Sequence, residues 1–118
     1  MSAKPRTEAQ KRERGALRRA VGARLKAVRE VLGLPQGVFG RRAGLSPAAY
    51  NNIELGEKLP SIETAIALCK AHRLTLDYIF MGDAGDLPHA VGKAIESLQD
   101  ARTTQASGLP ARKQAASD

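Results

Sequence analysis

Two adjacent asparagines, Asn51 and Asn52, carry the side chains of this 118-residue chain that are best suited to hydrogen bonding with a nucleic-acid base. In the major groove of DNA, an asparagine amide pairs bidentately with adenine, and an alanine methyl group contacts the methyl group of thymine. Consecutive helical residues point about 100° apart, so only one asparagine can face the bases if this segment is helical. We expect Asn52 to contact a base and Asn51 to lie nearer the phosphates. The alternative is that both are solvated on an exposed helix face.

The residues around the asparagines predict two short helices joined by a tight turn. The first covers residues 36–43, and Gly44 supplies the turn. The second has Ser46 as its N-cap, with a proline at the first helical position, and ends near Glu54 before Gly56. This layout is typical of a helix-turn-helix, in which the second helix lies in the major groove and the first braces it.

Apolar residues at helical spacing predict three further helices around this pair. Gly33 ends the first helix, Ser61 caps the fourth, and Thr75 caps a short fifth helix over residues 76–81. The residues predicted to face inward are Leu17, Val21, Leu25, Val28 and Leu32; Ile62, Ala65, Ile66 and Cys69; and Ile79 and Phe80. No strand pattern is present, so the predicted fold class is all-α, with five helices over residues 18–82.

The two ends of the chain differ in composition from this domain. Residues 1–17 form a basic arm, expected to be disordered at its start and helical within part of residues 8–20. Residues 83–118 form a C-terminal extension. We expect one amphipathic helix over residues 87–101 and a disordered tail from Thr103.

The charge distribution favours a polyanionic partner. The chain has a net charge of +7, and residues 1–32 contain ten Lys and Arg against three Glu. Phosphate contacts are expected from the backbone N–H groups at the helix starts, Gln36 and Ser46, and from Lys58. The cations expected to follow the DNA backbone or enter a minor groove are Lys11, Arg12, Arg14, Arg18 and Arg19. The alternative is a solvated tail that keeps the protein soluble.

Several classes of protein are disfavoured by the same sequence. The single cysteine, Cys69, excludes an intrachain disulfide and is interpreted as an inert core thiol. His72 and His89 are isolated, so we expect no metal site, and no catalytic arrangement or cofactor motif is recognisable. No apolar run approaches the roughly 20 residues that span a membrane, and no signal core follows the basic N-terminus. A cytoplasmic protein without enzymatic activity is expected.

Residues 21–82, about half of the chain, resemble the phage Cro/repressor (Xre-type) helix-turn-helix family. The matching residues are Val21-Gly22, Arg24-Leu25, Arg29, Gly33-Leu34, Gln36, Gly44-Leu45-Ser46, Ile53-Glu54, Gly56, Pro60-Ser61 and Leu74-Thr75-Leu76-Asp77. The resemblance implies a five-helix lambda-repressor-like fold and a homodimer that binds double-stranded DNA through its third helix.

The resemblance also implies roles for individual residues. Gln36 is expected to contact a phosphate, and Arg29 and Glu54 to form a structural pair that bridges the first and third helices. Tyr78 is expected to pack across the dimer axis. The residues expected to face the bases or the groove wall are Pro47, Ala48, Asn51 and Asn52.

The sequence departs from the family pattern at several positions. Pro35 replaces the usual Ser or Thr cap of the second helix, and Gly40 replaces the usual Ala at the closest helix crossing. His72 and Arg73 stand where Leu and Gly are common, so Arg73 is expected to adopt a positive φ. Residues 47–49 read Pro-Ala-Ala where relatives often have Gln, Arg or Ser.

Three functional hypotheses follow. The first is a sequence-specific transcriptional regulator, a repressor that binds a palindromic operator as a homodimer. The second is an antitoxin-like DNA-binding subunit whose C-terminal tail orders on a partner protein. The third is a non-specific DNA binder, suggested by the basic arm and the Pro-Ala-Ala start of the recognition helix.

Overall fold

The computed structural model describes residues 7–106. Within this range, only the backbone of Gln99 and of residues 101–106 is described. Within this part of the chain all regular structure is helical, which confirms the all-α fold class. The helices are α1 (Glu8–Leu32), α2 (Gln36–Arg41), α3 (Pro47–Glu54), α4 (Ile62–His72), a π-helix (Asp77–Met81) and α5 (His89–Ala106).

Local hydrogen bonds define the helix ends at the predicted capping residues. Ser46 Oγ accepts from the Ala49 N–H at 3.1 Å, and Ser61 Oγ accepts from the Thr64 N–H at 3.1 Å. Pro35 makes no side-chain cap for α2, as expected from its sequence. Arg73 has a φ of 59°, so the predicted left-handed conformation of this non-glycine residue is confirmed.

Helix α1 is longer than the predicted first helix. It begins at Glu8 behind a reciprocal capping box between Thr7 and Gln10 and continues without a break to Leu32. Residues 8–17 of the predicted arm are therefore helical and continuous with the domain. The part of the arm before Thr7 lies outside the described residues.

The core is mostly aliphatic and centres on α1. Its fully buried side chains include Val21, Leu25 and Val28 of α1, Phe39 of α2, Tyr50 of α3, Leu68 of α4, Tyr78 and Ile79 of the π-helix, and Ile95 of α5. Leu32, which was predicted to face inward, is the last residue of α1 and is 38% exposed.

Helix α4 presents a different face to the core than its sequence predicts. Ala65, Leu68 and His72 are buried, whereas Ile62 and Ile66 are 57% and 40% exposed. The predicted stripe of Ile62, Ala65, Ile66 and Cys69 is therefore wrong in part, since only its alanine is buried.

The C-terminal extension contains the additional helix that its periodicity predicts. Helix α5 packs against α1, and Leu87 and Ile95 complete the core there. The helix continues through Ala106, so the expected start of disorder at Thr103 is wrong for residues 103–106. The remainder of the predicted tail, residues 107–118, lies outside the described residues.

Candidate nucleic-acid interface

Helix α3 is anchored on one side and exposed on the other. Its apolar anchors, Tyr50 and Ile53, are buried. The residues with solvent-exposed positions at its start and on its outer face are Ser46, Pro47, Ala48 and Asn52, while Asn51 is half-buried. The structure thus brings the predicted base-facing residues onto one helix that presents a free outer surface.

Close packing of glycine holds α3 against its neighbours. A Cβ atom on Gly22 of α1 would lie 2.5 Å from the carbonyl oxygen of Glu54, and a Cβ atom on Gly40 of α2 would lie 2.6 Å from the Cβ of Tyr50. Real Cβ atoms do not approach other heavy atoms so closely. Glycine at both positions allows α1 and α2 to contact α3 through backbone and Cβ atoms.

The Glu54 carboxylate, at the end of α3, is bound by Arg29 of α1. Arg29 Nε donates to Glu54 Oε2, and Arg29 Nη2 donates to Glu54 Oε1, each at 2.9 Å. Arg29 Nη1 also donates to the Leu34 carbonyl oxygen at 3.1 Å. One guanidinium therefore connects α1, the segment before α2 and the end of α3.

Two further donors complete the coordination of Glu54. Tyr50 Oη donates to Glu54 Oε2 at 2.5 Å, and Gln36 Nε2 donates to Glu54 Oε1 at 2.8 Å. Gln36 Nε2 also donates to Asn51 Oδ1 at 3.1 Å. The side-chain amide nitrogen of Gln36 thus binds both Glu54 and Asn51 within the protein, and the phosphate contact of Gln36 stays a prediction.

The network keeps Glu54 ionised and Tyr50 neutral. Burial by itself raises the pKa of Glu54, but the hydrogen bonds from Arg29, Tyr50 and Gln36 outweigh it and lower the pKa below its usual value. Burial and the bond to Glu54 raise the pKa of Tyr50. The hydrogen bond to Glu54 raises the pKa of Arg29. The ion pair therefore persists across the neutral pH range.

Positively charged residues of α1 lie beside the end of α3. Arg18 Nε donates to the Gly56 carbonyl oxygen at 3.3 Å, and the Arg19 backbone packs against Gly56. Arg19 is exposed, as is Lys58 after α3. The exposed cations of the preceding α1 turns are Lys11, Arg12 and Arg14. The structure therefore places Arg18 and Arg19 next to the turn that ends α3.

The predicted dimer contact of Tyr78 is not available at the surface. Tyr78 is 1% exposed, and its hydroxyl donates to the Arg24 carbonyl oxygen at 2.9 Å. Burial raises the pKa of this phenol to about 12. Because the side chain is enclosed in the core, the structure moves Tyr78 from the expected interface to the interior.

Sequence reasoning missed two features close to this surface. Arg41 and Arg42, at the end of α2, are both exposed, and their adjacency in the helix-turn-helix was the available signal. His72 stacks on Phe39 with ring centroids 3.7 Å apart, and its Nε2 donates to the Phe39 carbonyl oxygen at 2.9 Å. The burial of His72 could have been inferred from its position seven residues after Ala65, which places both residues on the same face of α4.

Other kinds of site receive no support in residues 7–106. There, no cluster of three or more His, Cys, Asp or Glu side chains could hold a metal ion. None of the helices in this part combines the length and apolar character that a membrane span requires.

Comparison with known proteins agrees with this geometry. Residues 25–79 match the model of the helix-turn-helix family, which confirms the resemblance found in the sequence. A segment of 63 residues, 53% of this chain, is 35% identical to the repressor protein C2 of Salmonella phage P22 and covers 29% of that protein. The chain thus spans less than a third of this relative. No solved structure is significantly similar to the chain.

Proposed function

We propose that this chain, whose residues 25–79 form a domain of the helix-turn-helix family, is a DNA-binding transcriptional regulator that acts as a repressor. The similarity to a phage repressor supports the regulatory role. The observation that carries the proposal is the outer face of α3, which is free while its inner face is held by Arg29 and Glu54. A helix oriented in this way can enter the major groove at a constant angle.

Each residue of the surface receives a role in this proposal. Asn52 contacts a base edge, Ala48 contacts a thymine methyl group, and Pro47 lies against the groove wall. Asn51, whose Oδ1 already accepts from Gln36, directs its amino group toward a phosphate. The residues that position the protein on the backbone are Arg18, Arg19 and Lys58, together with the backbone N–H groups of the α2 and α3 starts at Gln36 and Ser46.

We further propose that two copies bind a palindromic operator. In proteins that use this motif, the two recognition helices of a dimer are separated by about one turn of DNA, roughly 34 Å. Each copy of α3 then reads one half-site, and the bound dimer occludes the promoter. The proposal requires no cofactor and no catalytic step.

The experiment that tests this function is in vitro selection of bound DNA from a random pool by the full-length protein at physiological salt. We expect a palindrome to be enriched. The same selection with Asn52→Ala provides a matched control, since it should lose the preference at one position of each half-site. Recovery of bound DNA without any enriched sequence would contradict specific recognition.

The exposed cations of α1 favour a second candidate, a non-specific DNA binder. Lys11, Arg12 and Arg14 precede the turns that contact Gly56, and they add charge without base selectivity. This candidate predicts a steep salt dependence and equal affinity for unrelated duplexes. Competition between the selected palindrome and a scrambled duplex at one salt concentration separates the two functions.

A further inference from the structure

The outward face of α4 carries two exposed isoleucines and, along one side of them, two opposite charges. Ile62 and Ile66 are 57% and 40% exposed, although β-branched aliphatic residues usually lie in cores. Glu63 and Lys70 are exposed on the same side of the helix. We refer to Ile62, Glu63, Ile66 and Lys70 together as the α4 face.

Helix geometry makes the α4 face one continuous surface. At 100° per residue, Ile62, Glu63, Ile66 and Lys70 fall within an arc of about 100°. Ala65, Leu68 and His72 occupy a separate arc of about 60° and are buried. Within residues 7–106, neither Glu63 nor Lys70 has an ion-pair partner, so both charges are available to another molecule.

We propose that the α4 face binds the α4 face of a second copy, with the two helices antiparallel across a twofold axis at Ile66. The inference deepens the proposed function, which requires two copies but does not say which surface joins them. A twofold interface must be self-complementary, so that residue i contacts residue j of the partner and j contacts i.

The order of residues along α4 meets this requirement. Glu63 and Lys70 lie on either side of Ile66, three and four residues away, which is about 4.5 Å and about 6 Å along the helix. In an antiparallel pair centred there, Glu63 of each copy faces Lys70 of the other. The two Ile66 side chains meet at the axis, and each Ile62 lies over the partner's last turns. A parallel pair would instead place like charges together, which disfavours it.

The proposed dimer covers the two isoleucines that α4 exposes to solvent. Removing the apolar surface of these side chains from water is favourable. In the described part of the chain, α5 packs against α1, and neither Ile62 nor Ile66 belongs to the core cluster or to the partly buried hydrophobic residues packed against it. The second copy is therefore the occupant that both the exposed isoleucines and the two opposite charges fit.

Charge exchange tests the proposal without DNA. The dissociation constant of the full-length dimer is measured by sedimentation at low salt. Glu63→Lys and Lys70→Glu should each weaken the dimer by about tenfold, because each places two pairs of like charges opposite one another. The double variant should restore the wild-type constant. An equimolar mixture of the two single variants should form heterodimers. One copy then has lysine at both positions and the other has glutamate at both, so each of the two facing pairs joins opposite charges.

A matched control reverses a charge elsewhere on the surface. Asp100→Lys lies on α5, is exposed, and changes the net charge as Glu63→Lys does. It should leave the dissociation constant unchanged. Equal weakening by Asp100→Lys, or failure of both the double variant and the mixture to recover dimers, would overturn the proposal.

A symmetric cross-link gives a second test. Helix axes 8–10 Å apart bring facing Cα atoms within disulfide range, so Ile66→Cys in a Cys69→Ser background should form a disulfide-linked dimer on mild oxidation. Met81→Cys in the same background is the control, since Met81 is 76% exposed on the π-helix. Preferential cross-linking through position 81, or a chain that is monomeric at all concentrations, would contradict the α4 dimer.

These tests separate the interface from the proposed function. A charge-dependent dimer that selects no DNA sequence would retain the inference and contradict specific recognition. Selection of a palindrome by a dimer that ignores the charge exchange would retain the function and contradict the α4 interface.

Discussion

The guanidinium of Arg29 binds both oxygens of the Glu54 carboxylate, with two parallel N–O distances of 2.9 Å. The two residues are 25 positions apart, on α1 and at the end of α3. Their side chains are 16% and 5% exposed, so the pair is largely removed from water. The angle of α3 relative to α1 therefore depends on an ion pair that also has Tyr50 and Gln36 as partners.

Arg29→Ala should lower the free energy of unfolding by about 3 kcal/mol, because it leaves the buried carboxylate of Glu54 without its counter-charge. Lys26→Ala removes a cation from the exposed face of the same helix and should change the free energy by less than about 0.5 kcal/mol. Urea unfolding followed by circular dichroism measures both. Equal losses in the two variants would show that the pair contributes nothing specific.

The stability of the domain should decrease below about pH 6.5 because of His72. Burial lowers the pKa of His72, the charge of Arg42 lowers it further, and the hydrogen bond to Phe39 opposes both. A depressed folded-state pKa means that the unfolded chain binds the proton more readily. The stabilisation is present above the ordinary value of 6.5 and is lost as the pH falls through the folded-state pKa.

Unfolding measured between pH 7.5 and 5 checks this dependence. His72→Leu should flatten it, because leucine cannot take up a proton in the stack on Phe39. His89→Gln, which replaces the other histidine of the chain at an exposed position on α5, should leave the loss in place. A steep loss that survives in His72→Leu would assign the dependence to other groups.

The two glycines of α2 should respond in opposite ways to alanine. Gly40→Ala places a Cβ atom 2.6 Å from the Cβ of Tyr50, so α2 must shift, and we expect a loss of about 1–3 kcal/mol. A Cβ atom on Gly37 would meet no heavy atom within 4 Å. Gly37→Ala should therefore stabilise the protein by about 0.5–1 kcal/mol through helix propensity. Thermal unfolding of the two variants measures the contrast, and equal signs would contradict the close crossing.

The capping residues and the turns could be predicted from the sequence because they depend on neighbouring residues. Ser46, Ser61 and Thr75 each accept from a backbone N–H three residues later. Arg73 adopts the left-handed conformation expected at the end of α4. Such features require only local hydrogen bonds and backbone geometry, which the sequence specifies directly.

The buried face of α4 could not be predicted from periodicity alone. Ile62, Ala65 and Ile66 have the spacing of a core stripe, and so do Ala65, Leu68 and His72, so Ala65 belongs to both patterns. The stack of His72 on Phe39 belongs to the second arrangement, and these residues are 33 positions apart. Tyr78 was misplaced for a similar reason, because its burial depends on packing between the π-helix and α1.

The candidate site could likewise be predicted only where it depends on local sequence. The sequence identified the residues of the outer face of α3, since cap, periodicity and polarity together define that face. It did not predict that the Gln36 amide binds Asn51 and Glu54, because a side chain able to contact a phosphate can equally bind a carboxylate 18 residues away. Tertiary contacts decide between such partners, and a local pattern carries no information about them.

Asn52→Ala and Lys58→Ala should weaken DNA binding in two distinguishable ways. Asn52→Ala should cost about 1–3 kcal/mol of binding free energy on the selected operator and little on a scrambled duplex, because it removes a base contact.

Lys58→Ala should weaken the binding of both duplexes similarly and reduce the slope of log K against log salt by about one, since it removes one phosphate contact. Lys93→Ala, on the exposed surface of α5, controls for the lost charge and should leave the slope unchanged. Titrations at several salt concentrations with both duplexes measure all three variants. If Asn52→Ala affected both duplexes equally, recognition would not include a base contact at this residue, and specificity would have to come from the shape of the DNA.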